Sequence, residues 1–328
     1  AAAGRLSEVI GDKTLAYDRL QRRKGMVWAA ENSLKTMEAN PNTNRMLQAY
    51  TRGVNAYIHS LSYKTRPLEY KLMSFQPEDW TPLKCALLLK YMADDLTGNT
   101  DDIPLSYVHN ALGDSIFNQL YPERIAGNIP VIPGGTKFPK PTMQVPPTPT
   151  VNLFADFRIK NNGQTAFSQV ISENNSGIGS NNWAVSGQRT ASGDAILCND
   201  PHLGLNLPAI WYEIQLSAPG INCYGVSIPG APGIVIGFND SISWGLTNNY
   251  RDVKDYYELR SDTPGYYIMD NTEQPFHNRY EKITIKGKKT PFTDTVRYTV
   301  HGPVLYENNF PEPSGSGKTL AVTWMAHR

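Results

Sequence analysis

Prolines decide how this chain divides. Pro130, Pro133, Pro139, Pro141, Pro146, Pro147 and Pro149 crowd into one stretch, and 161–179 beyond them is polar and contains glycine. Each proline fixes its own φ and withdraws a backbone donor, so this part of the chain is extended and packs poorly. It reads either as an interdomain linker or as a propeptide spacer. At 328 residues the chain should hold two domains or one large one.

The regions on either side differ in hydrophobic period. Leu47, Tyr50, Val54, Tyr57, Ile58 and Leu61 follow the three-to-four spacing of one helix face. Asp79 precedes Trp80, Thr81 and Pro82, and the apolar run 83–92 predicts a helix with Pro82 in its first turn. A further helix is predicted over 107–121, with Pro122 just past its end. From 183 onward, short β-like runs alternate with turn residues: 183–185, 195–197, 210–216, 224–227, 234–236, 242–246, 256–259, 280–285, 296–300 and 320–324. That spacing predicts antiparallel sheets. The expected fold class is α+β. The expected division is a mostly helical 1–127, a proline-rich linker or propeptide spacer at 128–179, and a β-rich 180–328.

Composition removes several classes of function. Hydrophobic residues at 40% suffice for a core, and Lys+Arg 31 against Asp+Glu 30 leaves neither a basic field for nucleic acid nor an acidic tail. The longest apolar run, 86–89, is far short of a membrane span. Cys85, Cys198 and Cys223 make no disulfide framework and match no zinc spacing. Nothing calls for an organic cofactor. Gly315-Ser316-Gly317-Lys318-Thr319 has the look of the end of a phosphate-binding loop. Its first glycine would fall at Glu312, Pro311 and Pro313 stand where the leading strand belongs, and a β-like run follows where a helix is required. Nucleotide binding is therefore rejected.

The chemistry centres on Gly179-Ser180-Asn181-Asn182-Trp183-Ala184-Val185-Ser186-Gly187. A serine hydroxyl is a weak nucleophile at neutral pH and needs a base beside it. No Gly-x-Ser-x-Gly elbow supplies one. Cutting the bond between Gly179 and Ser180 would supply one differently. Ser180 would become a chain start, and its α-amino group, with an ordinary pKa of about 8, can take the hydroxyl proton. Glycine before the serine suits self-cutting, because it leaves the path of the hydroxyl open and tolerates a strained backbone. The same residues also read as a Gly/Asn/Ser loop entering a strand.

Downstream come Cys198-Asn199-Asp200-Pro201-His202-Leu203-Gly204, Pro229-Gly230-Ala231-Pro232-Gly233, Gly237-Phe238-Asn239-Asp240 and Ser243-Trp244-Gly245-Leu246-Thr247-Asn248. In this order they closely resemble the start of the β-chain of the penicillin acylase (penicillin amidase) family, which are N-terminal-nucleophile amidohydrolases. The resemblance is continuous from Ser180 to about Asp255. Weaker matches are Gly4-Arg5-Leu6-Ser7-Glu8, Gly53-Val54-Asn55-Ala56-Tyr57, Trp80-Thr81-Pro82 and His301-Gly302-Pro303-Val304. The resemblance implies an αββα sandwich, of which 180–328 would be only a part. It implies a small-molecule N-acyl amide substrate, an acyl-enzyme on Ser180, and α- and β-chains cut from one precursor at Gly179 and Ser180. The chain shows no initiator methionine or signal peptide and begins inside a family motif. It is therefore expected to be a piece of a longer precursor, periplasmic or secreted like its relatives, and inactive as a fragment.

Further site residues follow from the resemblance. His202 matches the position that holds the nucleophile's amino group, with its main chain near the oxyanion. Many relatives carry glutamine there, so the imidazole need not act as acid or base; an ordinary turn histidine fits too. Asn248 matches the residue whose main-chain N–H binds the oxyanion, although a bland loop fits equally. The family's second donor, a side-chain asparagine, is expected beyond Arg328. Asp252, Asp255, the carbonyl of Lys254 and, from the helical region, Asp102 match a calcium site, and calcium takes six to eight oxygen ligands. Asp102 is one methylene shorter than the usual glutamate, and Arg251 and Lys254 bring positive charge, so a solvated acidic turn fits as well. Met92, Leu96, Leu203, Ile236 and Leu246 match the acyl pocket. None is aromatic, which implies an aliphatic rather than a phenylacetyl group, while leucine and isoleucine are also ordinary core residues. The alternative class of function is a non-catalytic peptide- or glycan-binding module, with a helical part tethered to a β-rich part that exposes Trp183, Trp211 and Trp244.

Overall fold

The computed structural model describes residues 1–97, 101–122, 125, 127–129, 132, 135–137, 179–203, 209–248, 252–313 and 315–327. The spacer expected at 128–179 lies almost wholly outside the described residues, as do Gly204 and Arg251. Helices come first: α1 (Ser7–Ile10), α2 (Leu15–Arg23), α3 (Met26–Ala39), α4 (Pro41–Ser60), α5 (Leu68–Leu72), α6 (Pro82–Thr97) and α7 (Asp102–Leu120). Strands follow: β1 (Asn181–Val185), β2 (Ile196–Asp200), β3 (Tyr212–Ala218), β4 (Ile221–Ser227), β5 (Ile236–Asn239), β6 (Ser243–Trp244) and β7 (Lys254–Glu258). The remainder are β8 (Tyr266–Met269), β9 (Thr272–Pro275), β10 (His277–Ile283), β11 (Phe292–Thr299), β12 (Gly302–Tyr306) and β13 (Leu320–Trp324). The class is α+β, as expected.

Local chemistry explains the helices. Asn40 caps α4, its side chain accepting from the N–H groups of Asn42 and Thr43 at 3.0 and 3.1 Å, with Pro41 in the first turn. Leu47 on the expected face is buried, whereas Tyr57 is exposed. Pro82 opens α6 as predicted. The chain entering it is clipped by Asn55, which donates to the Trp80 carbonyl at 3.0 Å and accepts from its N–H at 2.6 Å.

Antiparallel ladders join the strands in the orders β10-β11-β12-β13-β7, β3-β4-β5-β6, β1-β2 and β8-β9. The β8–β9 hairpin and β12 were not legible as strands. Asp270 and Asn271 turn the hairpin at φ 48° and 61°, values that Asp and Asn adopt more readily than most residues. β12 carries Pro303, which normally argues against a strand interior. Thr319 leads directly into β13, a strand where a phosphate-binding loop needs a helix, so the rejection of that motif stands.

The chain forms two compact units. One comprises 101–174 and 311–317; within it the Tyr107 hydroxyl of α7 donates to Glu312 at 2.9 Å. The other comprises 1–100, 175–310 and 318–328. Its helical core is Ala30, Ala86 and Leu87, flanked by Val27, Leu34, Met37 and Leu83. A second core, under the larger sheet, is Leu259, Tyr267, Phe276, Val304 and Ala321. Charge fastens α2 to that sheet. Arg23 is 0% exposed, pairs with Asp294 at 2.7 Å and Glu307 at 2.8 Å, and lies over the Phe310 ring. Arg19 reaches Asp294 at 3.0 Å and Arg22 reaches Glu281 at 2.6 Å. Burial pushes the Asp294 carboxyl up, but the hydrogen bonds from Arg23 and Arg19 outweigh it and hold the group below its usual range.

Candidate active site

Ser180 stands half-buried immediately before β1. Its Oγ accepts the main-chain N–H of His202 at 3.1 Å. The contact follows from local pairing: β1 and β2 run antiparallel with Asn181 opposite Asp200, and the turn through Pro201 brings His202 back beside Ser180. A main-chain N–H cannot take a proton, so this bond orients the hydroxyl and leaves its own hydrogen free for a base. The His202 imidazole faces elsewhere, with Nε2 at 3.4 Å from Asp200 Oδ2. In the continuous chain the Ser180 nitrogen is a peptide amide and offers no base. Gly179 is exposed, and a Cβ on it would meet nothing within 4 Å, so crowding does not dictate glycine in the uncut chain.

Asn248 lies on the segment that leaves β6, and its side chain donates to the Leu96 carbonyl in the last turn of α6 at 2.7 Å. This bond ties the expected oxyanion residue to the helix that carries Met92 and Leu96. Of the expected acyl-pocket residues, Met92, Leu203 and Ile236 are half-buried, Leu96 is 37% exposed and Leu246 is 52% exposed. None of the five is among the buried core residues of the described chain.

Lys254 and Asp255 open β7, and neighbours along a strand face opposite ways. Lys254 is buried, its ammonium over the rings of Tyr256 and Trp324 at 5.5 and 5.9 Å. Partial desolvation raises the Asp255 carboxyl, and the like charge of Asp252 pushes it the same way. Such a carboxylate pair suits a cation. Among the described residues, no three His, Cys, Asp or Glu side chains come together as a metal site. Asp102 opens α7 in the smaller unit.

The model of the penicillin amidase family matches residues 1–328. The chain belongs to the penicillin amidase family. Acyl-homoserine lactone acylase QuiP of Pseudomonas aeruginosa is 32% identical over 310 residues, covering 93% of this chain and 35% of that protein. Penicillin G acylase of Escherichia coli is 26% identical over 342 residues, covering 92% of this chain and 40% of that protein. A solved thermostable penicillin G acylase from Alcaligenes faecalis is 27% identical, covering 44% of this chain and 25% of that one at a TM-score of 0.39. The chain thus spans little more than a third of the length of the curated relatives it matches.

Other residues of this family member stand out only in the structure. Asn199 hydrogen-bonds Asn181 and Leu246, and Gly245 packs on it. Sequence spacing gives no sign of contacts between such distant positions. Of the three tryptophans in the binding-module alternative, Trp183 is exposed, while Trp211 and Trp244 are half-buried and the Trp244 indole donates to the Val235 carbonyl at 3.0 Å. No described helix is long and apolar enough to cross a membrane.

Proposed function

We propose that the full-length protein is an amidohydrolase that moves the acyl group of a linear N-acyl amide to Ser180 and then to water. One observation carries this reading: the Ser180 hydroxyl is held by the main chain of His202 at the start of β1, in a chain of the penicillin amidase family. The precursor cuts itself between Gly179 and Ser180. The freed α-amino group takes the hydroxyl proton as Oγ attacks the amide carbonyl carbon. The resulting oxyanion is met by the main-chain N–H of Asn248, a kind of donor typically worth about 10²–10³ in rate. Collapse expels the amine, which leaves with the proton from the α-ammonium. Water, deprotonated by the α-amino group of Ser180, then attacks the ester and releases the acid and Ser180.

The non-aromatic set Met92, Leu96, Leu203, Ile236 and Leu246 favours an aliphatic acyl group, and the name of the acyl-homoserine lactone acylase relative fits an N-acyl substrate. The helical 1–127 would lie on the α-chain, 128–179 would be a spacer, and 180–328 would begin the β-chain. Asp252, Asp255 and the carbonyl of Lys254 would contribute oxygens to calcium, which would brace this part of the fold and take no part in the chemistry. A periplasmic or secreted location rests on the family alone. Activity is expected of the full-length protein rather than of these 328 residues by themselves.

Two experiments test the reading. Ser180→Ala should leave the precursor at its uncut mass and without activity. Efficient cutting of the purified variant at the same bond would remove self-processing from the proposal. On matched amides, kcat/KM should rise along a straight-chain acyl series by up to about 0.8 kcal/mol of binding per methylene until the pocket is full. A preference for phenylacetyl over every aliphatic chain would overturn the aliphatic assignment.

A further inference from the structure

Asn199 lies in β2, opposite Asn182 of β1. Its Nδ2 donates to the carbonyl of Asn181 at 3.2 Å and to the carbonyl of Leu246 at 3.0 Å. The Leu246 N–H donates back to its Oδ1 at 3.2 Å. Leu246 thus meets a donor and an acceptor together, as it would beside a neighbouring strand. A primary amide offers both on adjacent atoms without charge. The fit is close, since a Cβ on Gly245 would lie 2.9 Å from Asn199 Cβ and Cγ and 3.1 Å from Asn182 Oδ1.

These contacts join the segments that matter for the reaction. Asn181 directly follows Ser180, Asn199 sits on the strand that leads to His202, and Leu246 leads to Asn248. Among the described residues, β1-β2 and β3-β4-β5-β6 are separate ladders, so strand pairing between them does not fix their spacing. The Asn199 amide spans that gap.

We infer that Asn199 is a positioning residue, holding the Ser180 nucleophile and the main-chain N–H of Asn248 at the separation that oxyanion formation needs. The inference rests on the reading of Ser180 as nucleophile. Asn199 itself touches no reacting atom. Its contribution should therefore appear in the chemical step, where a misplacement of about 1 Å can cost on the order of 10²-fold.

The test uses the full-length protein carrying Asn199→Asp, Gly245→Ala or Ser180→Ala. Asn199→Asp keeps the shape but sets a carboxylate oxygen against two carbonyls. Gly245→Ala leaves the amide intact and forces it aside, at a position without positive φ. Competent serines are counted with a serine-directed sulfonyl fluoride, and kcat and KM are measured on a chromogenic straight-chain acyl amide. In both variants kcat per titrated serine should fall about 10²-fold with KM little changed. A residue serving stability alone would lower the melting temperature and the number of titrated serines while leaving kcat per serine at the wild-type value, and that result would overturn the inference. Loss of folding in both variants would overturn it too, because the side chain would then be holding the fold rather than the spacing. If only Asn199→Asp fails to fold, Gly245→Ala decides. Turnover by Ser180→Ala would instead bring down the reading of the nucleophile. An inactive Ser180→Ala beside wild-type kcat in the other two would sink the positioning role alone.

Discussion

At His327, burial decides the protonation state. The ring sits between Trp28 and Trp324, with centroids at 5.3 and 5.6 Å, and its Nε2 lies 2.9 Å from the Lys24 carbonyl. Burial lowers its pKa from 6.5 to about 4, although the hydrogen bond to Lys24 pulls the other way. Above the unfolded value both states are neutral and the group adds no pH dependence. As pH falls from 6.5 toward 4, the unfolded chain takes up a proton that the folded chain refuses, so stability is lost across that window. The full loss is on the order of 3 kcal/mol. His327→Gln keeps an N–H for Lys24 and removes the titration. Melting temperatures from pH 7.5 down to about 4.5 should fall more steeply for the wild type than for this variant; parallel curves would show that His327 does not set the slope.

Among the elements, the loop between β4 and β5 shows how the smaller ladder is placed. Gly230 donates its N–H to the Tyr50 hydroxyl of α4 at 2.7 Å. Its φ is +109°, and a Cβ there would fall 2.9 Å from Leu88 Cδ2 and 3.1 Å from the Trp80 ring. Glycine is required on both counts, conformation and close approach. Gly230→Ala should therefore cost about 1–3 kcal/mol in urea or thermal unfolding. A change below about 0.5 kcal/mol, ordinary for surface positions, would mean that the loop is not pressed against α6. The same contact shows why the Pro229-Gly230-Ala231-Pro232-Gly233 run belongs with the weaker Trp80-Thr81-Pro82 match: the two meet in space.

Over the whole molecule, the proposed cut would leave α2 on one chain and β10, β11 and β12 on the other. Within the larger unit they are fastened by Arg19, Arg22 and Arg23 on Asp294, Glu307 and Glu281. Removing one member of a buried, hydrogen-bonded charge pair costs about 3–5 kcal/mol, because the partner is left buried and uncompensated. Arg23→Met should accordingly lower the urea concentration at which the two chains of the cut protein separate on size exclusion. Separation at the wild-type concentration would show that apolar packing alone keeps them together.

The sequence by itself determined what depends on neighbours along the chain. Pro82 at the head of α6 and the β-like runs that became β3, β4 and β13 were legible because helix and strand periods, caps and turns are local. Ser180 stood out for the same reason, within a run of residues next to one another. The polar β9, and β12 with its Pro303, carried no such local signal. Only the tertiary structure decided that β7 pairs with β13, that Arg23 meets Asp294 across 271 positions, and that Asn199 clips Leu246 across 47. The reason is physical. A strand edge, a buried charge or a side-chain amide can be satisfied by many partners, and the one it receives is chosen by how the whole chain packs.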